Sequence, residues 1–350
     1  MKLPSRGTVP QSGRDRESWD QISPKVIKKR RIAFPATTHQ THMAGRILVI
    51  RGGAIGDFIL TLPTLHLLRD TFPQAHIEIL GYRHIIALAE DRFYANASRH
   101  IEYAGMAGFF SRAGNLDPAL TNYFSSFDQV ISYLFDPDQI FEENLTRCGV
   151  RNIISGTSKI NEQKHATLQL AQPLEKLALF LENTQAKIYP KPEDTQAILP
   201  LLPKTPFAVL HPGSGGNQKI WPIENWLALL KKKPSPYPYL IVGGEADKDL
   251  LEKINQAKLQ NTKILPPLPL PQLGALLTRA HHYLGHDTGI SHLAAAAGTP
   301  SLLLFGPTNP AIWAPTAPFV KILKSPTNNI NDLPLSVVYE RVEKFVSLQC

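Results

Sequence analysis

Two places in the sequence carry residue types that could do group-transfer chemistry. One is the run His286-Asp287-Thr288-Gly289-Ile290-Ser291-His292. Apolar stretches at 280–285 and 301–305 flank it, so the local order reads strand, Gly-bearing turn, helix, strand. Asp287, Thr288 and Ser291 can each cap the helix that opens there, and Gly289 lets whatever lies above the first turn come close. A helix start presents unpaired N–H groups and the positive end of a dipole, a physical reason for a diphosphate to lie on it. The second place is Gly52-Gly53-Ala54-Ile55-Gly56-Asp57, after a buried apolar strand at 47–51. Its strand, Gly-rich loop and helix follow a dinucleotide-binding order, with Glu78 about 20 residues on, where a ribose-binding acid would be sought. Arg51, however, stands where that fingerprint has its first Gly. Asp57, following the last Gly, would repel a pyrophosphate on the helix start. The loop better suits a turn that holds an acid at the mouth of a cleft, or an aspartate that only caps its own helix.

The elements that must position these residues alternate strand and helix along the chain. Strands at 47–51 and 77–80 bracket a helix carrying Leu62, Leu65 and Leu68, with Pro63 complicating where it starts. Beyond residue 82 the signal weakens, with strands at 127–134 and 150–155 and helices at 138–148 and 166–181. Asp136-Pro137-Asp138 and Asp247-Lys248-Asp249 match the D-x-D pattern of metal-holding glycosyltransferases, but Pro137 favours a turn for the first. Residues 189–206 hold five prolines, a density that should sustain neither helix nor sheet, and are expected to link two domains. The second half restarts with strands at 207–210, 239–242 and 263–265 and helices at 223–231, 247–259 and 271–279. Its Gly-rich turns 211–216 and 243–247 follow strands, where open α/β sheets gather ligands. A last helix, 332–348, has one apolar face and could return to the first domain.

Composition limits the function classes. With 350 residues, 43% hydrophobic and 19% charged, the chain is a globular protein with room for two domains. Residues 1–43 hold nine Lys/Arg against three Asp/Glu, so six of the eight net positive charges lie there. A nearly neutral body argues against nucleic-acid binding. That segment is expected to be a disordered basic extension, either upstream of a natural start at Met43 or an arm for anionic lipid. Cys148 and Cys350 form no disulfide framework or metal-ligand spacing, which points to a reducing cytoplasm. The longest apolar run, 293–305, is broken by Gly298, Thr299 and Pro300 and is too short to cross a membrane.

Three segments, 46–64 (RILVIRGGAIGDFILTLPT), 211–223 (HPGSGGNQKIWPI) and 286–311 (HDTGISHLAAAAGTPSLLLFGPTNPA), in that order resemble glycosyltransferase family 9, the ADP-heptose:lipopolysaccharide heptosyltransferases. The likeness runs from Gly45 to about Pro315 and is weakest at 82–200. It implies the GT-B architecture, two Rossmann-like domains with mostly parallel sheets facing across a cleft. The implied domains are 44–188 for the acceptor and 207–327 for the ADP-sugar, joined by 189–206, with 328–350 as the C-terminal helix. The implied reaction inverts the anomeric centre without a metal or other cofactor. Asp57 matches the family's base. Ser214 and Gly215 match the diphosphate loop, and Lys219 the lysine that neutralises the leaving group. Asp287, Thr288, Gly289 and His292 fall on the donor motif, Leu268 against adenine, and Asp247 or its neighbour Glu245 on the ribose. Ile220 and Gly53 depart mildly from the family pattern.

The implied partners are an ADP-sugar donor, of heptose type, and a lipopolysaccharide-core or related glycolipid acceptor. The enzyme would be cytoplasmic, in peripheral contact with the inner membrane and without nucleic acid. Two other readings follow from the residues: an NAD-dependent dehydrogenase on the 52–56 loop, and a non-enzymatic binder working through the basic tail. A zinc site from His281, His282, His286 and His292 is disfavoured because a strand followed by a helix cannot converge all four. Trp221 could stack on a sugar, but core packing is the expectation.

Overall fold

The computed structural model describes residues 45–348, so the basic extension at 1–43, with its Met43 start or lipid arm, lies outside the described residues. The first half runs β1 (Arg46–Arg51), α1 (Ile55–Thr71), β2 (His76–Gly81), α2 (Arg83–Ile86), β3 (Ala97–His100), α3 (Pro118–Ser125), β4 (Gln129–Ser132), α4 (Ile140–Arg147), β5 (Ile153–Ser155) and α5 (Ala166–Ala171). Then come α6 (Pro192–Ile198), β6 (Ala208–His211), α7 (Ile223–Lys231), β7 (Tyr239–Ile241), α8 (Lys248–Gln256), β8 (Thr262–Ile264) and α9 (Leu270–Leu277). The chain closes with β9 (His282–His286), α10 (Gly289–Ala296), β10 (Ser301–Phe305), α11 (Pro310–Trp313), β11 (Val320–Lys324) and α12 (Leu335–Ser347). All strand pairings are parallel, in sheets ordered β3-β2-β1-β4-β5 and β11-β10-β9-β6-β7-β8. These are two Rossmann-like halves, and each sheet's strand order reverses once, between β1 and β4 and between β6 and β9. Such reversal points are where ligands settle, outside the carboxyl ends of the strands.

One cluster of buried side chains runs through both halves. It takes in Phe58, Ile59 and Leu62 of α1 together with Leu293, Ala294 and Ala296 of α10. α1 is apolar nearly all round, burying Phe58 to Leu65 without a break. Such a helix is covered on both sides, here by its own sheet and by α10. It passes through Pro63 uninterrupted, although a proline inside a helix costs about 3 kcal/mol.

Three expectations are corrected. The proline-rich stretch does hold a helix, because Pro192 opens α6 at a position where its missing N–H would be unpaired anyway. That stretch is also pinned in place: Arg92 pairs with Asp194 at 2.7 Å and donates to the Tyr189 carbonyl at 3.0 Å. The helix expected over 166–181 stops at Ala171 and tightens into a 3-10 turn at Gln172–Leu177, since Pro173 cannot donate the next hydrogen bond. Finally, α12 does not return to the first half. Its Val338, Val342, Phe345 and Val346 join Trp226 and Leu229 of α7 in the second half's own cluster, an apolar face already within reach of the chain leaving β11.

Candidate functional site

Asp57 sits three residues into α1 because β1 ends in a turn that only glycine makes easily: Gly53 has φ +98°. A side chain there would also lie 2.8 Å from Asp57 Oδ2. That oxygen accepts the Ala54 N–H at 2.9 Å, and Oδ1 stands 3.8 Å from Arg51 Nη2. The side chain keeps 36% of its surface exposed, so it caps its helix and still faces solvent. Arg51 is buried beneath it, donating to Thr61 Oγ1 at 3.0 Å and to the Asp57 carbonyl at 3.2 Å. Burial works against the Arg51 charge, and the neighbouring Asp57 and Tyr133 favour it. The turn is thus committed to holding a carboxylate. Glu78, the acid a dinucleotide reading needs, is buried and accepts the Tyr123 hydroxyl at 2.7 Å, which counts against the dehydrogenase reading.

In the second half the loops after β6, β9 and β10 meet at Asp287. Its Oδ2 accepts from Lys219 Nζ and from Thr308 Oγ1, each at 2.7 Å. Thr288 caps α10, its hydroxyl accepting the Ser291 N–H at 3.2 Å. His292 Nε2 lies 4.0 Å from Asp287 Oδ1. Burial pushes His292 down to about 4 despite the nearby Asp287, so at neutral pH this approach is not an ion pair. His286 is fully buried and joins the two loops: Nδ1 bonds the Gly213 carbonyl at 3.2 Å and Nε2 accepts the Trp221 N–H at 3.0 Å. Both bonds suit a neutral ring, and burial holds its pKa down to about 3. Trp221 is buried, donating Nε1–H to the Leu333 carbonyl at 3.0 Å. Among the described residues no three His, Cys, Asp or Glu side chains stand close enough to share a metal ion. Asp136 takes part in a turn, accepting the Glu142 N–H at 3.0 Å.

The two helix starts meet. A Cβ on Gly56 would lie 3.4 Å from His292 Cδ2, and one on Gly289 would lie 2.7 Å from Ile55 Cβ and 2.9 Å from Gly56 N. Asp57 and the Asp287–Lys219–Thr308 cluster therefore stand at two helix starts in contact, and the charges of Asp287, Asp57 and Lys219 all act on the buried His292. The family pattern for glycosyltransferase family 9 (heptosyltransferase) matches residues 159–337, half of the chain.

The chain belongs to glycosyltransferase family 9.

Lipopolysaccharide heptosyltransferase 3 of Escherichia coli (strain K12) is 24% identical over 324 residues, 84% of this chain and 91% of that protein. Lipopolysaccharide heptosyltransferase 1 of Pseudomonas aeruginosa is 33% identical over 135 residues, 36% of this chain and 38% of that one. The glycosyl transferase family 9 structure from Veillonella parvula superposes with a TM-score of 0.73 at 17% identity, over 87% of this chain and 97% of that one. E. coli heptosyltransferase WaaC with ADP superposes at 0.65 and 18%, over 86% and 99%. At these identities the two structures establish the shared GT-B fold.

In this family 9 glycosyltransferase the structure brings together Asp57, Lys219, Asp287, Thr288, Gly289 and His292, with Ser214 and exposed Gly215 on the loop beside them. Half-buried Leu268 lies further along the same sheet edge, after β8. Asp247 is not presented to a ligand. Its buried carboxylate accepts from Gly244 N at 2.8 Å and from His211 Nε2 at 3.3 Å. Burial works to raise its pKa, but those hydrogen bonds outweigh it and hold the group below the ordinary value. Glu245, with its side chain 92% exposed, is the acid of the pair that a ribose could reach. Gly289 is also where the halves touch: on the side where a Cβ would stand, Ile55 and Gly56 of the first half approach it. Gly289→Ala would press a Cβ on backbone that cannot rotate away, and is expected to cost about 1–3 kcal/mol, read as a lower urea midpoint. An unchanged midpoint would show that the halves separate without cost. Sequence reasoning passed over Arg51, treated only as a missing Gly, and Thr308; an arginine closing an apolar strand was the available signal for the first.

Proposed function

We propose that this glycosyltransferase moves a heptose-type sugar from an ADP-sugar to a lipopolysaccharide-core or related glycolipid acceptor, with Asp57 as general base. The observation that carries this reading is the meeting of the two helix starts, with a solvent-facing carboxylate on one and a lysine held beside the other. Support for the donor comes from relatives whose names include ADP and lipopolysaccharide heptosyltransferase. In this mechanism the acceptor hydroxyl gives its proton to Asp57 as its oxygen bonds the anomeric carbon. The bond from that carbon to the diphosphate breaks on the opposite face, and ADP leaves with the electron pair, so the centre inverts. Negative charge grows on the diphosphate, where Lys219 and the N–H groups opening α10 supply positive potential already in place. The Asp287 carboxylate would repel ADP by itself. Its role is to aim Lys219, and Thr308 shares that carboxylate so the lysine can turn to the ligand. No cofactor is required by these steps. The acceptor would bring the enzyme to a membrane surface, and among the described residues no helix is long and apolar enough to cross one.

Product mass spectrometry after offering ADP-, UDP- and GDP-sugars with cell-envelope acceptors tests the assignment, and sugar transfer from UDP or GDP donors alone would overturn it. Lys219→Ala is expected to weaken ADP binding by about 10- to 100-fold, the size of a lost hydrogen bond to a charged group. Wild-type affinity by titration calorimetry would remove Lys219 from the diphosphate site.

A further inference from the structure

A cavity of about 530 Å³ opens beside the Asp287 cluster, lined by Glu162, Thr308, Asn309, Trp313, Lys324 and Asn328 among others. None of these residues has a part in the chemistry derived above except Thr308, whose hydroxyl is held by Asp287. The volume lies within the roughly 300–1,000 Å³ of small-molecule sites. Its walls come from both halves: Glu162 from the loop between β5 and α5, and the rest from the turn after β10, the end of α11, the end of β11 and the turn after it. Asn309 Nδ2 reaches across to Glu162 Oε2 at 3.2 Å. Lys324 Nζ donates to the Thr308 carbonyl at 3.0 Å and to the Gly306 carbonyl, which fixes the turn that forms the floor. Trp313 is half-buried, and its indole N–H makes no hydrogen bond to the described residues.

We propose that this cavity is a subsite for one sugar ring. An indole beside a carboxylate, two side-chain amides and a hydroxyl is a lining whose chemistry matches a pyranose, with its apolar C–H face and its rim of hydroxyls. Position argues the same way. Along the sheet edge, β8 with Leu268 and β10 with this cavity lie on opposite sides of the β6–β9 reversal. Strands are about 4.8 Å apart, so the two places are separated by about 19 Å. A nucleotide whose base lies toward β8 and whose diphosphate lies at Asp287 has its sugar end directed toward this cavity. The same cavity also faces the first half, so the ring could belong to the donor or to the acceptor. This inference rests on the ADP-sugar reading above.

Glu162→Gln keeps the shape of an exposed side chain and removes its charge; Trp313→Ala removes the indole, and thermal melting reports whether it still folds. Calorimetry with ADP and with ADP-heptose, and the KM for deacylated lipopolysaccharide core oligosaccharide, separate the sources. If the ring is the donor's, each variant loses about 3- to 10-fold in ADP-heptose affinity, the scale of one or two hydrogen bonds, with ADP unchanged. If it is the acceptor's, KM for the oligosaccharide rises by that factor and both donor affinities hold. Either result supports the subsite. Wild-type values throughout for Glu162→Gln and for folded Trp313→Ala overturn it, as does a loss of ADP affinity equal to that of ADP-heptose, which would place the base there. Wild-type protein that binds ADP yet transfers no sugar from ADP-heptose would instead overturn the proposed function, and the subsite with it.

Discussion

Asp57→Ala is expected to lower turnover by about 10²–10⁴-fold, the usual contribution of a general base, while ADP affinity stays within about twofold of wild type. The separation follows from position, since Asp57 belongs to α1 whereas Lys219, Thr288 and Thr308 belong to the loops of the other sheet. Because Asp57 Oδ2 also accepts the Ala54 N–H, alanine removes a helix cap worth roughly 0.5–2 kcal/mol. Asp57→Asn is the necessary companion, since its amide oxygen can keep the cap but the group cannot take a proton. Both variants should be equally slow if proton transfer is what is lost. Restored turnover in the asparagine variant would make Asp57 a structural cap and move the base elsewhere. The readout is ADP release coupled to a spectrophotometric reaction, with calorimetry on the same preparations.

Stability should fall steeply in mild acid, because three histidines, two at the ends of β9 and one in α10, are buried without charge. Burial lowers His282 and His286 to about 3 and His292 to about 4, against 6.5 for an exposed ring. His282 is further lowered by the neighbouring His281. Below pH 6.5 the unfolded chain therefore binds protons that the folded chain refuses, and folding stability drops as pH falls. Each ring contributes about 1.4 kcal/mol per pH unit between 6.5 and its folded value, so the three together approach about 4 kcal/mol per unit near pH 5. Above pH 6.5 their contribution is constant. Urea midpoints measured at pH 7.5, 6.0 and 5.0 test this, and a flat profile from 7 to 5 would show that the rings reach solvent or find acceptors on protonation. His282, whose Nε2 has no hydrogen-bond partner among the described residues, is the ring to replace first: His282→Leu should remove about a third of the slope.

Much of the fold was legible because its signals are local. Apolar runs at β1, β6, β9 and β10 announce buried parallel strands, each followed by a turn whose Gly, Pro or Asp allows little else. Helix α7 occupies the residues its apolar spacing predicts, 223–231. Strands β3 and β11 were missed, being short or half-exposed at sheet edges, where the period-two pattern is weak. The carboxylates were legible as residues and not as contacts. Asp247 and Glu245 are near neighbours in sequence, and only the buried His211 and the Gly244 N–H decide that the first turns inward.

What the sequence by itself determined was therefore the class of fold, the family and the short turns that carry Asp57, Lys219 and Asp287. Those depend on backbone preferences and hydrophobic pattern, which act within a few residues. Only the tertiary structure decided that Gly56 lies against Gly289, that Thr308 shares the Asp287 carboxylate with Lys219, and that α12 stays with the second half. Each of those joins residues far apart in the chain, and such contacts form wherever two surfaces bury the most apolar area without stranding a polar group, a condition no single segment encodes.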